Sequence, residues 1–253
     1  MVSTEQWTAS DRYLAHFLLI LLPILGFRDI FLIAFIPGFI AVLFVLLIKE
    51  KIKPRETNKQ NTMSFKVSLK GLPDNLKLFI LVSTVFAFGH FGYAFLLLKA
   101  RNIGLDNDTA IFLYVLFYIV YTLCIIPAGI LSDKIGRKPI LMMGYTLFAF
   151  TAIALFFTSQ LYALLVVFIV YGVFYAMIDG VQRAFIVDLA PADLKATALG
   201  TFHASIGLIA LPGGLLAGLL WDVISPEATF VFALCLSLCA LLLFVFVKNV
   251  RQR

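Results

Sequence analysis

At 253 residues, 62% hydrophobic and 13% charged, with a mean hydropathy of +1.02, the chain is too apolar for a soluble globular domain and has the composition of a polytopic membrane protein. The net charge of +6 does not form a basic face. It lies mainly in the gaps between apolar runs, which excludes nucleic acid as a partner. Cys124, Cys235 and Cys239 sit inside apolar runs and read as small packing residues, neither a disulfide framework nor a metal site.

Residues 1–12 are polar, and Arg12 precedes an apolar run from Tyr13 to Leu25. As a helix this run rises only about 20 Å, short of the ~30 Å hydrocarbon core. Charge followed by an apolar run mimics a signal peptide, but Leu25-Gly26-Phe27-Arg28 offers no small-x-small cleavage site. Ile30 to Ile48 is a full apolar span with Pro37-Gly38 as a tolerated kink. A polar segment rich in lysine follows, from Lys49 to Lys77. It reads as a solvated linker along lipid headgroups, with a short surface helix near Phe65 to Leu72. Six further spans are predicted at Leu76–Leu98, Ala110–Leu131, Pro139–Phe157, Leu161–Val187, Ala196–Leu220 and Ala228–Val247.

The connection Gly129-Ile-Leu131-Ser-Asp133-Lys134-Ile-Gly136-Arg137-Lys138 is a tight polar hinge between two of these spans. Gly129 is expected to let a helix end approach a neighbour, and Gly136 to take the positive φ that so short a turn needs. Lys134, Arg137 and Lys138 place three cations at a membrane boundary, with Asp133 among them as a pairing partner. If this hinge is cytoplasmic, every Lys and Arg except Arg28, Lys99 and Arg101 falls on the inner side or in a helix end facing it, the asymmetry that orients membrane proteins.

The hinge resembles the signature loop of the major facilitator superfamily, G-x-L-x-D-x-x-G-R-K, with Gly129, Leu131, Asp133, Gly136, Arg137 and Lys138 in register. The resemblance implies an all-α membrane bundle whose last six helices form two three-helix repeats of inverted topology. Laid on the twelve-helix plan of that family, residues 1–48 are a remnant of the N-terminal bundle, comprising the partial helix 13–25 and helix 30–48. Residues 49–75 are the basic cytoplasmic central loop, and 76–253 the C-terminal six-helix bundle. The resemblance thus implies an N-terminally truncated member.

Polarity sorts the spans. Those at 30–48, 139–157 and 228–247 carry no charged residue and can face lipid, whereas spans with ionisable groups should turn them toward protein or water. Tyr171, Tyr175, Asp179 and Arg183 recur every four residues and share one helix face. In one reading the tyrosines contact substrate while Asp179 is a proton or cation site tuned by Arg183. In the other, Asp179 and Arg183 neutralise each other as a structural pair. Tyr114, Tyr118 and Tyr121 form a second stripe, read as cavity lining or plain packing. His90, in Gly89-His-Phe-Gly92-Tyr93, is either a coupling group or a hydrogen-bonding partner to a neighbouring helix, and His203 carries the same choice. Tyr93 joins the cavity candidates, and Asp188 reads as a gating or interface residue. Gly207, Pro212, Gly213, Gly214 and Gly218 mark a bendable helix, with Gly214 and Gly218 as a GxxxG pair for close packing.

No Walker loop, dinucleotide glycine motif, zinc-ligand spacing or Ser–His–Asp set outside the membrane occurs. Neither an enzyme, a catalytic residue, a metal nor a cofactor is therefore expected. The resemblance implies secondary transport of a small solute by alternating access, coupled to protons or another ion, or facilitative. The expected partners are the lipid bilayer, the solute and the coupling ion. The alternatives are a non-transporting remnant or accessory membrane subunit, and a half-transporter that self-associates as a homodimer or joins a second half.

Overall fold

The computed structural model of the protein describes residues 35–37, 39–40, 43–44 and 71–248. Two compact units divide the chain, Met1–Ser64 and Phe65–Arg253. In the first unit the described residues are helical and fall within the expected span 30–48. The partial helix 13–25, the linker from 49 to 70 and the C-terminal Arg251 and Arg253 lie outside the described residues. Of the expected surface helix at 65–72, only Gly71 and Leu72 are described, and they form a turn.

Residues 71–248 are helical apart from short connections, with no strand among the described residues. The elements are α1 (Asp74–Gly89), α2 (Tyr93–Asn102), α3 (Asn107–Ile135), α4 (Arg137–Phe157), α5 (Leu161–Leu189), α6 (Lys195–Leu219), a π-helical turn (Leu220–Ile224) and α7 (Pro226–Val245). Among the described residues six segments are long and apolar enough to cross a membrane, with α1 and α2 counted as one and α6 extended by its π turn. They are the six spans predicted between residues 76 and 247, most of them extended by a few residues. Their apolar residues surround each helix instead of forming one stripe, because both protein neighbours and lipid accept an apolar side chain. Polar residues punctuate the ends. At the start of α7 the Ser225 hydroxyl accepts from the Ala228 amide at 3.2 Å, and Pro226 and Glu227 follow in the first turn.

The packing is the same in the two triplets of spans. The first span packs on the fifth and sixth as the fourth packs on the second and third, and the third and sixth pack on each other. Three crossings is an odd number, so the second triplet starts on the opposite side of the membrane from the first. The repeat is therefore inverted. The core between them is aromatic: Phe79, Phe86, Tyr145, Phe148, Phe174 and Phe244 are all at most 4% exposed.

One residue, Gly136, joins α3 to α4, with φ 101° and ψ 150°, a conformation that glycine adopts without strain. Gly129 differs from its expectation. A Cβ built there would meet nothing within 4 Å, so among the described residues no neighbour uses that glycine for close approach.

Candidate functional site

Between α1, α5 and α6 lies a cavity of about 170 Å³. Its polar wall is made of Ser83 and His90 from the first span and Tyr175, Asp179 and Gln182 from α5; Phe86, Ala87, Phe174, Ile178 and Ile206 complete the apolar part. No residue of α4 or α7 reaches it. The 3.6-residue period of α5 explains its contribution. Tyr171, Tyr175, Asp179 and Arg183 form one stripe that runs from fully buried at Tyr171 to exposed at Arg183, and the middle of the stripe meets the cavity.

Tyr171 departs from the expected role of substrate contact. It is fully buried and absent from the cavity wall. Its hydroxyl donates to the Phe91 carbonyl at 3.0 Å and lies 3.3 Å from His90 Nε2. The reason is local. Helical hydrogen bonding stops at Gly89, His90 and Gly92 are extended, and none of residues 90–92 is helical before α2 begins. The Phe91 carbonyl therefore has no helical partner, and a buried carbonyl in a membrane interior needs one. Gly89 closes the other side of this break. A Cβ there would fall 2.5 Å from Leu236 Cβ on α7, so only glycine fits.

Both oxygens of Asp179 have a partner. Arg183 reaches Oδ1 at 2.9 Å and the Tyr121 hydroxyl donates to Oδ2 at 2.9 Å. The pair expected from the i, i+4 spacing is thus present, and α3 joins it through Tyr121. Gln182 donates to the buried Tyr145 hydroxyl at 2.9 Å. Tyr93 and Tyr118 lie outside the cavity wall, on an exposed aromatic cluster with Tyr114. His203 is likewise exposed on α6, against Phe202 and away from the cavity.

On α6 the close contact belongs to Gly213, where a Cβ would fall 2.6 Å from the Phe88 carbonyl oxygen. Gly207, Gly214 and Gly218 meet nothing within 4 Å. The GxxxG pair therefore makes no helix contact among the described residues. One step along a helix turns a side chain by about 100°, and it is Gly213, beside Pro212, that points at α1.

Both ends of the bundle are tied by polar contacts. At the hinge end, Arg137 pairs with Asp188 at 2.8 Å and lies 3.8 Å from Asp133. Lys138 donates to the Val245 and Val247 carbonyls at the end of α7, meeting acceptors that a helix terminus leaves free. Asn75 exchanges two hydrogen bonds with the Lys248 backbone. At the opposite end, buried Lys99 reaches Glu227 at 3.3 Å and sits 5.8 Å from the centre of the Phe230 ring. The Lys99–Glu227 tie and the wall positions of Ser83 and Gln182 are absent from the sequence-derived site. No periodic stripe or motif marks them; only the tertiary packing brings them in.

The family description that matches the chain is the Major Facilitator Superfamily, over residues 78–253. An uncharacterized MFS-type transporter of Methanocaldococcus jannaschii is 39% identical over 228 residues, which cover 88% of this chain and 56% of that protein. The multidrug transporter MdfA of Edwardsiella ictaluri is 34% identical over 117 residues, 45% of this chain and 28% of that protein. The class D tetracycline resistance protein of Salmonella ordonez is 29% identical over 131 residues, 51% of this chain and 33% of that protein. The chain thus spans about half the length of the archaeal relative and a third or less of the other two. Inverted triplets of spans, a one-residue glycine hinge with Asp133, Arg137 and Lys138 around it, and a sequence match from residue 78 to the end converge: the chain belongs to the Major Facilitator Superfamily.

Proposed function

We propose that the protein takes part in secondary transport of a small organic solute by alternating access, with the cavity between α1, α5 and α6 as one wall of the solute pathway. The observation that carries this reading is the cavity itself. A carboxylate, an imidazole, an amide and two hydroxyls line one space inside a bundle of membrane-spanning helices, where each polar group is costly and its presence points to function. The break at His90–Gly92 supports it, because non-helical backbone at membrane depth occurs where a segment lines a cavity or moves. The names of the multidrug and tetracycline-resistance relatives support an organic solute. Alternating access needs two walls. In this reading residues 76–253 supply one, and a second helical bundle, in the same polypeptide or another, supplies the other.

The hinge end and the C-terminus face the cytoplasm in this account, since the basic residues outside helix interiors gather there. The motor is an ion gradient or the solute gradient itself. Asp179 is the proton site if protons drive it, with Tyr121 and Arg183 holding the ionised form.

Flux into proteoliposomes tests the reading. The full chain is reconstituted with a pH-sensitive dye inside, and tetracycline and a panel of small organic solutes are added under an imposed proton gradient. Solute-dependent movement of protons is expected, and Asp179→Asn should abolish it while solute exchange without a gradient continues. Unchanged gradient-driven uptake in Asp179→Asn rejects proton coupling at this residue, and the absence of flux for every solute rejects transport by this chain alone.

A further inference from the structure

The hydrogen-bonding polarity of the cavity can be worked out from the partners behind its wall. Tyr171 has one hydroxyl proton and two polar neighbours. The Phe91 carbonyl, at 3.0 Å, can only accept, so the proton is committed there. His90 Nε2, 3.3 Å from the same hydroxyl, must then be the donor of that contact. A neutral imidazole protonated at Nε2 carries its lone pair on Nδ1. The free acceptor of His90, a residue of the cavity wall, is therefore Nδ1. Gln182 gives its amide N–H to Tyr145 and keeps its carbonyl oxygen free to accept. Asp179 is an acceptor at both oxygens, and each retains a lone pair beyond its bond to Arg183 or Tyr121.

Ser83 supplies a second, independent sign. It is 1% exposed, it lines the cavity, and its hydroxyl makes no well-formed hydrogen bond among the described residues, although the Tyr145 hydroxyl lies near it. Its neighbour Thr84 donates to the Ile80 carbonyl one turn back at 2.7 Å, the usual refuge of a hydroxyl in an apolar helix. Ser83 does not do the same. A buried hydroxyl left unpaired is costly and is expected to find its partner in whatever fills the space.

Among the described residues no lysine or arginine lines the cavity, and the rings of Phe86, Phe174 and Tyr175 do. An anion entering would face two acceptors and a carboxylate already paired with Arg183, with only the Ser83 and Tyr175 hydroxyls as donors among the described wall residues. An ammonium group would find acceptors for its N–H bonds and aromatic faces for its charge. We propose that the solute is a small organic amine in its ammonium form, with its N–H bonds given to His90 Nδ1, Asp179 and Ser83 and its apolar body laid against Phe86 and Phe174. This rests on the reading of the cavity as the solute site.

Calorimetric titration of the full chain in detergent with three probes tests it. Benzylamine, benzyltrimethylammonium and phenylacetate share a ring and differ in N–H donors and in the sign of their charge. Benzylamine should bind about tenfold or more tighter than benzyltrimethylammonium, the size of a charge-assisted hydrogen bond, and phenylacetate should not compete. Ser83→Ala should weaken benzylamine several-fold while its melting temperature changes little, because the hydroxyl makes no well-formed hydrogen bond in the empty protein. Equal binding of the two cations, tighter binding of phenylacetate, no binding of benzylamine, or unaltered affinity in Ser83→Ala would overturn the assignment. Flux of another solute without benzylamine binding overturns the amine and leaves transport standing. Benzylamine binding without flux of any solute does the reverse.

Discussion

The Tyr171 hydroxyl lies 3.0 Å from the Phe91 carbonyl, at the point where the first span gives up its helical hydrogen bonds. Removing it leaves a carbonyl buried in an apolar core without a partner, at a cost of about 1–3 kcal/mol. Tyr171→Phe should therefore lower the unfolding midpoint in a detergent titration followed by tryptophan fluorescence. Tyr175→Phe, half-buried and with no hydrogen bond among the described residues to lose, should leave it in place; an equal loss in both variants would show that bulk and not the hydroxyl matters. The two tyrosines occupy equivalent places on the same stripe and cannot be told apart by spacing. Their environments differ because the stripe passes under the break in the first span at Tyr171 and under open space at Tyr175. For Asp179 and Arg183 the four-residue spacing suffices, since the pair forms within one helix. Ser83 carries no such mark, because its meaning lies in a bond that it fails to make.

Helix α6 shows how close contact depends on which side of a helix a glycine faces. Gly213 lies against the backbone of α1, where a Cβ would fall 2.6 Å from the Phe88 oxygen, while Gly214 faces open space. Gly213→Ala should destabilise the bundle by about 1–3 kcal/mol through overpacking. Gly214→Ala should be neutral or stabilise by up to ~1 kcal/mol through helix propensity. Thermal melts of the two variants in detergent check the contrast, and a larger loss at Gly214 would mean that its face is the packed one. The run of glycines is legible in the sequence as a place of close packing or bending, but its rotation is not. In an amphipathic helix the polar face would fix that rotation, and the part of this helix that carries the glycine pair, from Ile206 to Leu219, is apolar all round. The six spans themselves are legible for the same reason that their rotations are not: bilayer crossing demands length and apolarity, and both can be counted directly. The hinge is legible because a one-residue connection at positive φ demands glycine, and Gly136 supplies it.

Across the whole molecule, two triplets of spans pack in equivalent ways, and the contacts at each end hold them together. Arg137–Asp188, Lys138 at the end of α7 and Asn75–Lys248 gather the hinge end; Lys99–Glu227 ties the opposite end. A pathway through the bundle needs two distinct compartments at these ends, so the transport reading depends on where they lie. Impermeant maleimide labelling decides this most directly. Asp133→Cys and Gln160→Cys flank α4 and are placed one at a time in a chain whose Cys124, Cys235 and Cys239 have been replaced by alanine. The account predicts that Gln160→Cys reacts in intact cells and that Asp133→Cys reacts only in inverted vesicles. Labelling of both from one face, or of Asp133→Cys from outside, would contradict it.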